Sequence, residues 1–349
     1  MALLDVVEKS SIGRNATTTS RSASAATEGG RPTNTAWNRG WSCELVTTSD
    51  SKQCHTFRNA TSQTLRHELR KPLGASKKIN KMNPNEENSV LTPFPEVNVV
   101  LQDLLKDVQR ILDGHLVGMY LEGSLANGDF DQDSDIDFVV VIDKEIEDNT
   151  FSALQIMHER INLLDTQWST NLEGSYVSKQ AVRRHDPEHT KFPNIERGFG
   201  ERLKMVHNDE TWNIHRYILR KCGIAIIGPT PISLIDPISP DELRHAMLPA
   251  LHNWATQILS NPNEIVHQGY QSYTALSLCR IIYTFEFGDI VSKRKAATWV
   301  KETQGENWKE LIERAWIGRH NPQLLASTDD VNQTLDLIRY ALDKASSVL

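Results

Sequence analysis

The chain has 349 residues, 39% hydrophobic and 24% charged, which is enough apolar material for one large or two ordinary cores. Its 38 Lys and Arg against 45 Asp and Glu leave a net charge of −7. No stretch approaches the roughly 18 to 20 uninterrupted apolar residues of a membrane span, and the opening MALLDVVEKSSIGRN has neither a basic leader nor a long apolar core, so a cytoplasmic protein without membrane association is expected.

Residues 1–80 carry 12 basic against 6 acidic side chains, and 26 of them are Ser, Thr or Asn without sustained helical or strand periodicity. Such a segment buries too little apolar surface to offset the cost of ordering it, so residues 1–85 are expected to form a disordered N-terminal extension, with Met82 opening what reads as a natural domain start. The other 269 residues carry 26 basic against 39 acidic side chains, a net of −13, which repels phosphate backbones and draws in cations. The main body is therefore expected to bind no nucleic acid and to suit a polycationic small molecule. Cys43, Cys54, Cys222 and Cys279 lack any metal-ligand spacing and read as free thiols of a reducing compartment. Sequons at Asn15, Asn59 and Asn332 carry no weight without a secretion signal.

From Phe94 the pattern changes. Pro95 suits a first helical turn, Val97, Val100, Leu101, Leu104, Leu105, Val108, Ile111 and Leu112 recur at three and four, and Gly114 closes the run, predicting an amphipathic helix. The apolar runs 116–121 and 136–142 predict strands, joined by the turn Glu122-Gly123-Ser124 and a loop of Gly, Asn and Asp. A helix over about 150–164 and a strand over about 171–177 continue the alternation. Beyond Pro229, Ser239-Pro240-Asp241-Glu242 is a capping box with proline at the first helical position and predicts a helix to about Leu259. Further helical patterns run roughly over 272–287, 292–303, 307–317 and 329–346. A domain boundary is placed near 230, between an α/β region over 90–230 and an all-helical region over 231–349.

Three features converge on one chemistry. Gly123-Ser124 directly follows a strand, where glycine allows close backbone approach to a ligand and a serine hydroxyl with neighbouring amides can hold a phosphate. Asp135 and Asp137 open the second strand, and residues two apart on a strand point to the same face. Asp-x-Asp alone is most often a solvated loop end. Here Asp135 lies 11 residues after Ser124, and a third acid, Glu173, occupies another strand-like segment. Carboxylates gathered beside apolar strands repel unless a cation sits between them, and Mg²⁺ prefers such hard oxygen ligands together with nucleotide phosphates. His185, His189, His207 and His215 show no ligand pattern and read as surface or loop residues.

The segment MYLEGSLANGDFDQDSDIDFVVV resembles the signature of the polymerase-β-like nucleotidyltransferases, an apolar-Gly-Ser turn followed about ten residues later by a metal-binding Asp-x-Asp. Within that superfamily the chain most resembles the streptomycin/spectinomycin (aminoglycoside) adenylyltransferases, over roughly residues 95–345. Leu172-Glu173 matches the segment that carries the family's catalytic base. Leu276-Ser277-Leu278-Cys279-Arg280-Ile281-Ile282-Tyr283-Thr284, then Gly288, Ser292-Lys293, Ala296-Ala297 and Trp299, is similar to the helical segment whose Arg and Lys contact the nucleotide phosphates. The resemblance implies an α+β fold, a nucleotidyltransferase-type mixed sheet with flanking helices followed by an all-α helical bundle. It further implies that Asp135, Asp137 and Glu173 hold Mg²⁺, that Glu173 is the base, and that Gly123, Ser124, Arg280 and Lys293 hold ATP in an interdomain cleft. Trp254 is a candidate to stack on adenine.

The family's streptomycin binders carry a Trp after Phe-Gly-Glu and an Asp shortly before the Leu-Arg-Ile-Tyr helix; Arg202 and Tyr270 fall at those positions here. The implied activity is Mg²⁺-dependent transfer of AMP from ATP to a hydroxyl of a small, cationic acceptor of aminoglycoside or aminocyclitol type, spectinomycin-like rather than streptomycin, by a monomer that releases pyrophosphate. The alternatives are an antitoxin-type protein AMP-transferase and a catalytically idle nucleotide-binding protein. The helical C-terminal half argues against the first and the three intact acids against the second.

Overall fold

A computed structural model describes residues 91–348; the expected extension over 1–85 lies outside the described residues, as do Cys43, Cys54, Asn15 and Asn59. The predicted first helix is α1 (Pro95–Leu112), with proline at its first turn and Val97, Val100, Leu101, Leu104, Val108 and Leu112 buried along one stripe. It leads to β1 (Leu116–Leu121), α2 (Gly123–Asn127) and β2 (Ile136–Ile142). The segment read as turn and loop therefore begins with a single helical turn, closed by Gly128 in the left-handed conformation.

The chain continues through α3 (Asp148–Ile161), β3 (Leu172–Ser178), α4 (Lys179–Arg183), β4 (Lys191–Ile195), β5 (Lys204–His207), α5 (Asn213–Cys222), β6 (Ile224–Ile227) and α6 (Pro231–Leu234). The strands form one mixed sheet in the order β5-β4-β3-β2-β1-β6. Only β2 and β3 run parallel; every other neighbouring pair is antiparallel. Period-two alternation splits β1 and β2 between two cores. Met119, Leu121, Phe138, Val140 and Ile142 pack with α1 and α3 on one face, while Tyr120, Val139 and Val141 pack with Val182, Trp212, Leu219 and Leu234 on the other.

After Ile227 every regular element is helical: α7 (Pro240–Ser260), α8 (Gln268–Phe287), α9 (Lys293–Thr303), α10 (Lys309–Gly318) and α11 (Thr328–Val348). The capping box is present, with Ser239 Oγ accepting from the Glu242 amide at 3.2 Å and the Glu242 carboxylate accepting from the Ser239 amide at 2.8 Å. The central helix α8 is buried on most of its circumference, with Ala275, Leu278, Ile281, Ile282 and Phe285 in the core and the polar Gln271, Ser277, Arg280 and Thr284 buried as well. Among the described residues no helix is long and apolar enough to cross a membrane.

At the centre of the sheet, Phe138 lies opposite Gly174 across the parallel ladder, and a Cβ added to Gly174 would stand 2.4 Å from the Phe138 carbonyl and 2.5 Å from its ring. Glycine is required by that approach. Gly174→Ala is expected to destabilise the fold by about 1–3 kcal/mol, read as a lowered midpoint in chemical denaturation.

Candidate active site

The register of the parallel ladder sets Asp137 directly opposite Glu173. Asp137 shares its face of β2 with Val139 and Val141, and Asp135 precedes the strand by one residue, at the same parity as Asp137. One carboxylate oxygen from each of Asp135, Asp137 and Glu173 comes within 4.8 Å of the other two. Asp137 and Glu173 are almost fully buried, at 1% and 2% exposure. Burial, and then the neighbouring Asp135 charge, push the Asp137 carboxyl up to about 7. Three hard oxygen donors at this separation are the ligand set a divalent cation of the Mg²⁺ type selects.

The turn that precedes them is shaped around Asp137. The Glu122 amide donates to the Asp137 carbonyl at 3.1 Å. Gly123 has φ +62°, and a Cβ there would lie 1.7 Å from Asp137 Oδ2, so both backbone conformation and contact exclude a side chain. Ser124 Oγ is buried beside it with no hydrogen-bond partner among the described residues, a donor held out of water and available to an anion.

Gly123, Ser124, Asp135 and Asp137 line one side of a cleft of ≈ 660 Å³, a size suited to a nucleotide-sized ligand. The other side comes from the helical part of the chain: Tyr270, Tyr273 and Arg280 on α8, Ser292, Lys293 and Arg294 at the start of α9, and Trp316 and Arg319 at the end of α10. Arg280 is only 6% exposed, its Nε has no hydrogen-bond partner, and the charges nearest it include Asp137, Asp135 and Glu122. Lys293 stands over the Tyr273 ring at 4.5 Å. Burial, together with the adjacent Arg280 charge, brings its ammonium down to about 7. A buried guanidinium and a weakened ammonium facing a carboxylate trio form a polarised cleft that an anion bound to a cation would neutralise.

The structure thus brings together all seven residues singled out in the sequence, with Glu173 beneath the cleft floor beside Asp137. Two sequence readings need correction. Trp254 is 1% exposed in the helical core and donates from Nε1 to the Tyr270 hydroxyl at 3.0 Å, so no face is open to a base. His215 is not a surface residue: it is 3% exposed and its Nδ1 lies 3.1 Å from Glu122 Oε1. Those partners are 93 positions apart and no local spacing could pair them. Sequence reading also passed over Asp129, Asp133, Arg197, Arg319 and Trp316, all of which line the cleft. The alternation of Asp at 129, 131, 133, 135 and 137 was the one available signal.

A carboxyl raised from 3.8 to about 7 by folding contributes stability that is complete below its unfolded pKa and lost as pH rises through the folded one. The metal-free protein is expected to melt at falling temperature from about pH 4 to 7 on this account, and Asp137→Asn to flatten that slope. Because a cation binds the deprotonated form, Mn²⁺ affinity measured calorimetrically is expected to rise over the same interval. A pH-independent affinity would show that Asp137 is already ionised.

Comparison with known proteins follows the same division of the chain. Residues 101–205 match the family described as "Nucleotidyltransferase domain", and residues 233–343 match "Aminoglycoside adenylyltransferase, C-terminal domain". The chain is 26% identical over 265 residues to an aminoglycoside (3'') (9) adenylyltransferase of Escherichia coli, covering 71% of this chain and 96% of that protein. It is 21% identical over 268 residues to a spectinomycin 9-adenylyltransferase of Enterococcus faecalis, covering 73% and 98%. The crystal structure of a spectinomycin adenyltransferase from Enterococcus faecalis, solved with ATP and spectinomycin, shares the fold with a TM-score of 0.56 at 18% identity, over 71% of this chain and 99% of that one. A region that matches the nucleotidyltransferase domain and one that matches the aminoglycoside adenylyltransferase C-terminal domain are thus joined in one polypeptide, and the chain is an adenylyltransferase.

Proposed function

We propose that the protein transfers AMP from Mg·ATP to a hydroxyl of an aminoglycoside or aminocyclitol-type small molecule, releasing pyrophosphate. The observation that carries this reading is the carboxylate trio, within 4.8 Å, facing Arg280 and Lys293 across one cleft. In this reading residues 90–230 are the nucleotidyltransferase domain and residues 231–349 the helical domain, and each contributes one wall. Asp135, Asp137 and Glu173 would hold Mg²⁺. That ion, when bound, neutralises the triphosphate and the departing pyrophosphate.

The chain's own groups do the rest. Gly123 lets the backbone approach the phosphates, and the unpartnered Ser124 hydroxyl donates to a phosphate oxygen. Lys293, at about 7 in the empty cleft, takes up a proton as the phosphates arrive, and Arg280 presents its buried guanidinium to the same charge. Glu173 accepts the proton of the attacking hydroxyl. The acceptor oxygen then bonds to the α-phosphorus as the bond to the bridging oxygen breaks.

Acceptor choice is supported by where the two family specificity positions fall. Arg202 pairs with Glu159 at 3.2 Å and lines a separate shallow depression, away from the cleft. Tyr270 lies in the cleft but is aromatic and neutral rather than acidic. Neither supplies what the family uses for streptomycin, which favours a spectinomycin-type acceptor.

Glu173→Gln is expected to fold normally, to bind ATP and to lose AMP transfer by about 10²–10⁴-fold, measured as pyrophosphate release. Full activity in that variant would remove Glu173 as the base. Calorimetric titration of spectinomycin and streptomycin into protein with Mg²⁺ and a non-hydrolysable ATP analogue is expected to give heat with the first only. Silence with every aminocyclitol would overturn the small-molecule acceptor in favour of a protein one.

A further inference from the structure

The turn that delivers Asp135 to the trio is built around a different aspartate. Asp131 Oδ1 accepts from the Asp133 amide at 3.2 Å, from Ser134 Oγ at 3.0 Å and from Arg319 Nη2 at 2.7 Å. The Asp131 amide donates back to Ser134 Oγ at 3.0 Å, and the Ser134 amide to the Asp131 carbonyl at 3.1 Å. One carboxylate thus ties residues 131–134 into a compact turn that ends where Asp135 begins. Of the partners of Asp131 Oδ1 among the described residues, only Arg319 comes from outside that turn, 188 positions further along the chain at the end of α10.

Arg319 is itself held in place. Its guanidinium lies 5.1 Å from the Trp316 ring, which also takes Arg294 at 4.6 Å. Arg294 Nε in turn stands 3.8 Å from Asp129, and His320, next to Arg319, pairs with Asp133. Arg319 and Asp131 are 20% and 27% exposed, partly withdrawn from water, where a charge-assisted contact of 2.7 Å is stronger than a surface pair.

We infer that Arg319, acting through Asp131, is a positioning residue for the carboxylate cluster. The helical part of the chain shapes the turn that carries Asp135, so cation affinity depends on a contact made across the cleft. This rests on the reading that Asp135, Asp137 and Glu173 hold a divalent cation. Without Arg319, the turn keeps its internal hydrogen bonds and the pair between His320 and Asp133, and Asp135 keeps Arg197 at 3.6 Å. The carboxylate that organises the turn nonetheless loses its partner from across the cleft, so more of the ordering of Asp135 falls to the cation. Partners that touch metal ligands directly change metal affinity by about 10–100-fold, and for Arg319 and Asp131, which act through the turn, the low end of that range is expected.

Mn²⁺ binding to the full chain without nucleotide, followed by electron paramagnetic resonance, tests the inference. Arg319→Gln and Asp131→Asn are each expected to weaken Mn²⁺ by about 10-fold or more, and the double variant no further than the weaker-binding single one. Melting temperatures in a chelator should match the parent, and Arg319→Lys should recover part of the affinity. In AMP transfer by Arg319→Gln the half-activating Mg²⁺ concentration should be raised. Unchanged Mn²⁺ affinity in both single variants, or losses that multiply in the double, would overturn the inference. Asp137→Asn separates the two layers. If it abolishes Mn²⁺ binding while Arg319→Gln does not weaken it, only the positioning role fails. If it leaves Mn²⁺ binding intact, the cation site and this inference fall together.

Discussion

Repulsion among Asp135, Asp137 and Glu173 is the constraint to which the surrounding structure answers. A fold gains nothing in stability by setting Asp137 beside Glu173 at 1% and 2% exposure, since buried like charges cost free energy until they are neutralised. The molecule meets that cost in two ways. Asp137 carries a proton near neutrality, with its carboxyl raised to about 7. Arg280 and Lys293 place positive charge on the opposite wall. Both are partial answers, and the protonated acid and the weakened ammonium would be exchanged for full charges once a cation and a polyphosphate enter.

The backbone around the trio follows from the same requirement. Asp137 and Glu173 come into register across β2 and β3, the only parallel pair among the described strands. A parallel pair needs a crossover, which α3 supplies over the face that Phe138 and Val140 occupy. Glycine at 123 is then set by the Asp137 carboxylate, which fills the space where a Cβ would stand.

Charge is divided between the two walls. Acids line mainly the side built from the sheet and its loop, where Arg197 also stands 3.6 Å from Asp135, and the other bases line the side built from the helices, with Arg319 joined to Asp131 and Arg294 near Asp129. Neither wall is electrostatically satisfied alone. The carboxylates sit on the sheet and most of the basic groups on the helices, so the charge balance of the cleft depends on how closely the two are held.

Periodicity in the sequence by itself determined the strands over 116–121 and 136–142 and the long C-terminal helices, because one buried stripe or one buried face leaves a local repeat. It also set Asp135 and Asp137 on one face of a strand without help from anything distant, whereas Arg280 and Lys293 were singled out only through the family resemblance. Strands β4, β5 and β6 left no such trace: they are short, β4 contains Pro193, and β5 is an edge strand and largely exposed, so pairing with a neighbour rather than an apolar pattern defines them. Tertiary structure alone decided that Trp254 is core, that His215 meets Glu122, and that Arg319 reaches Asp131. Each depends on segments brought together by packing, and hydrogen bonds spanning 16, 93 and 188 positions leave no mark on the local spacing of residues.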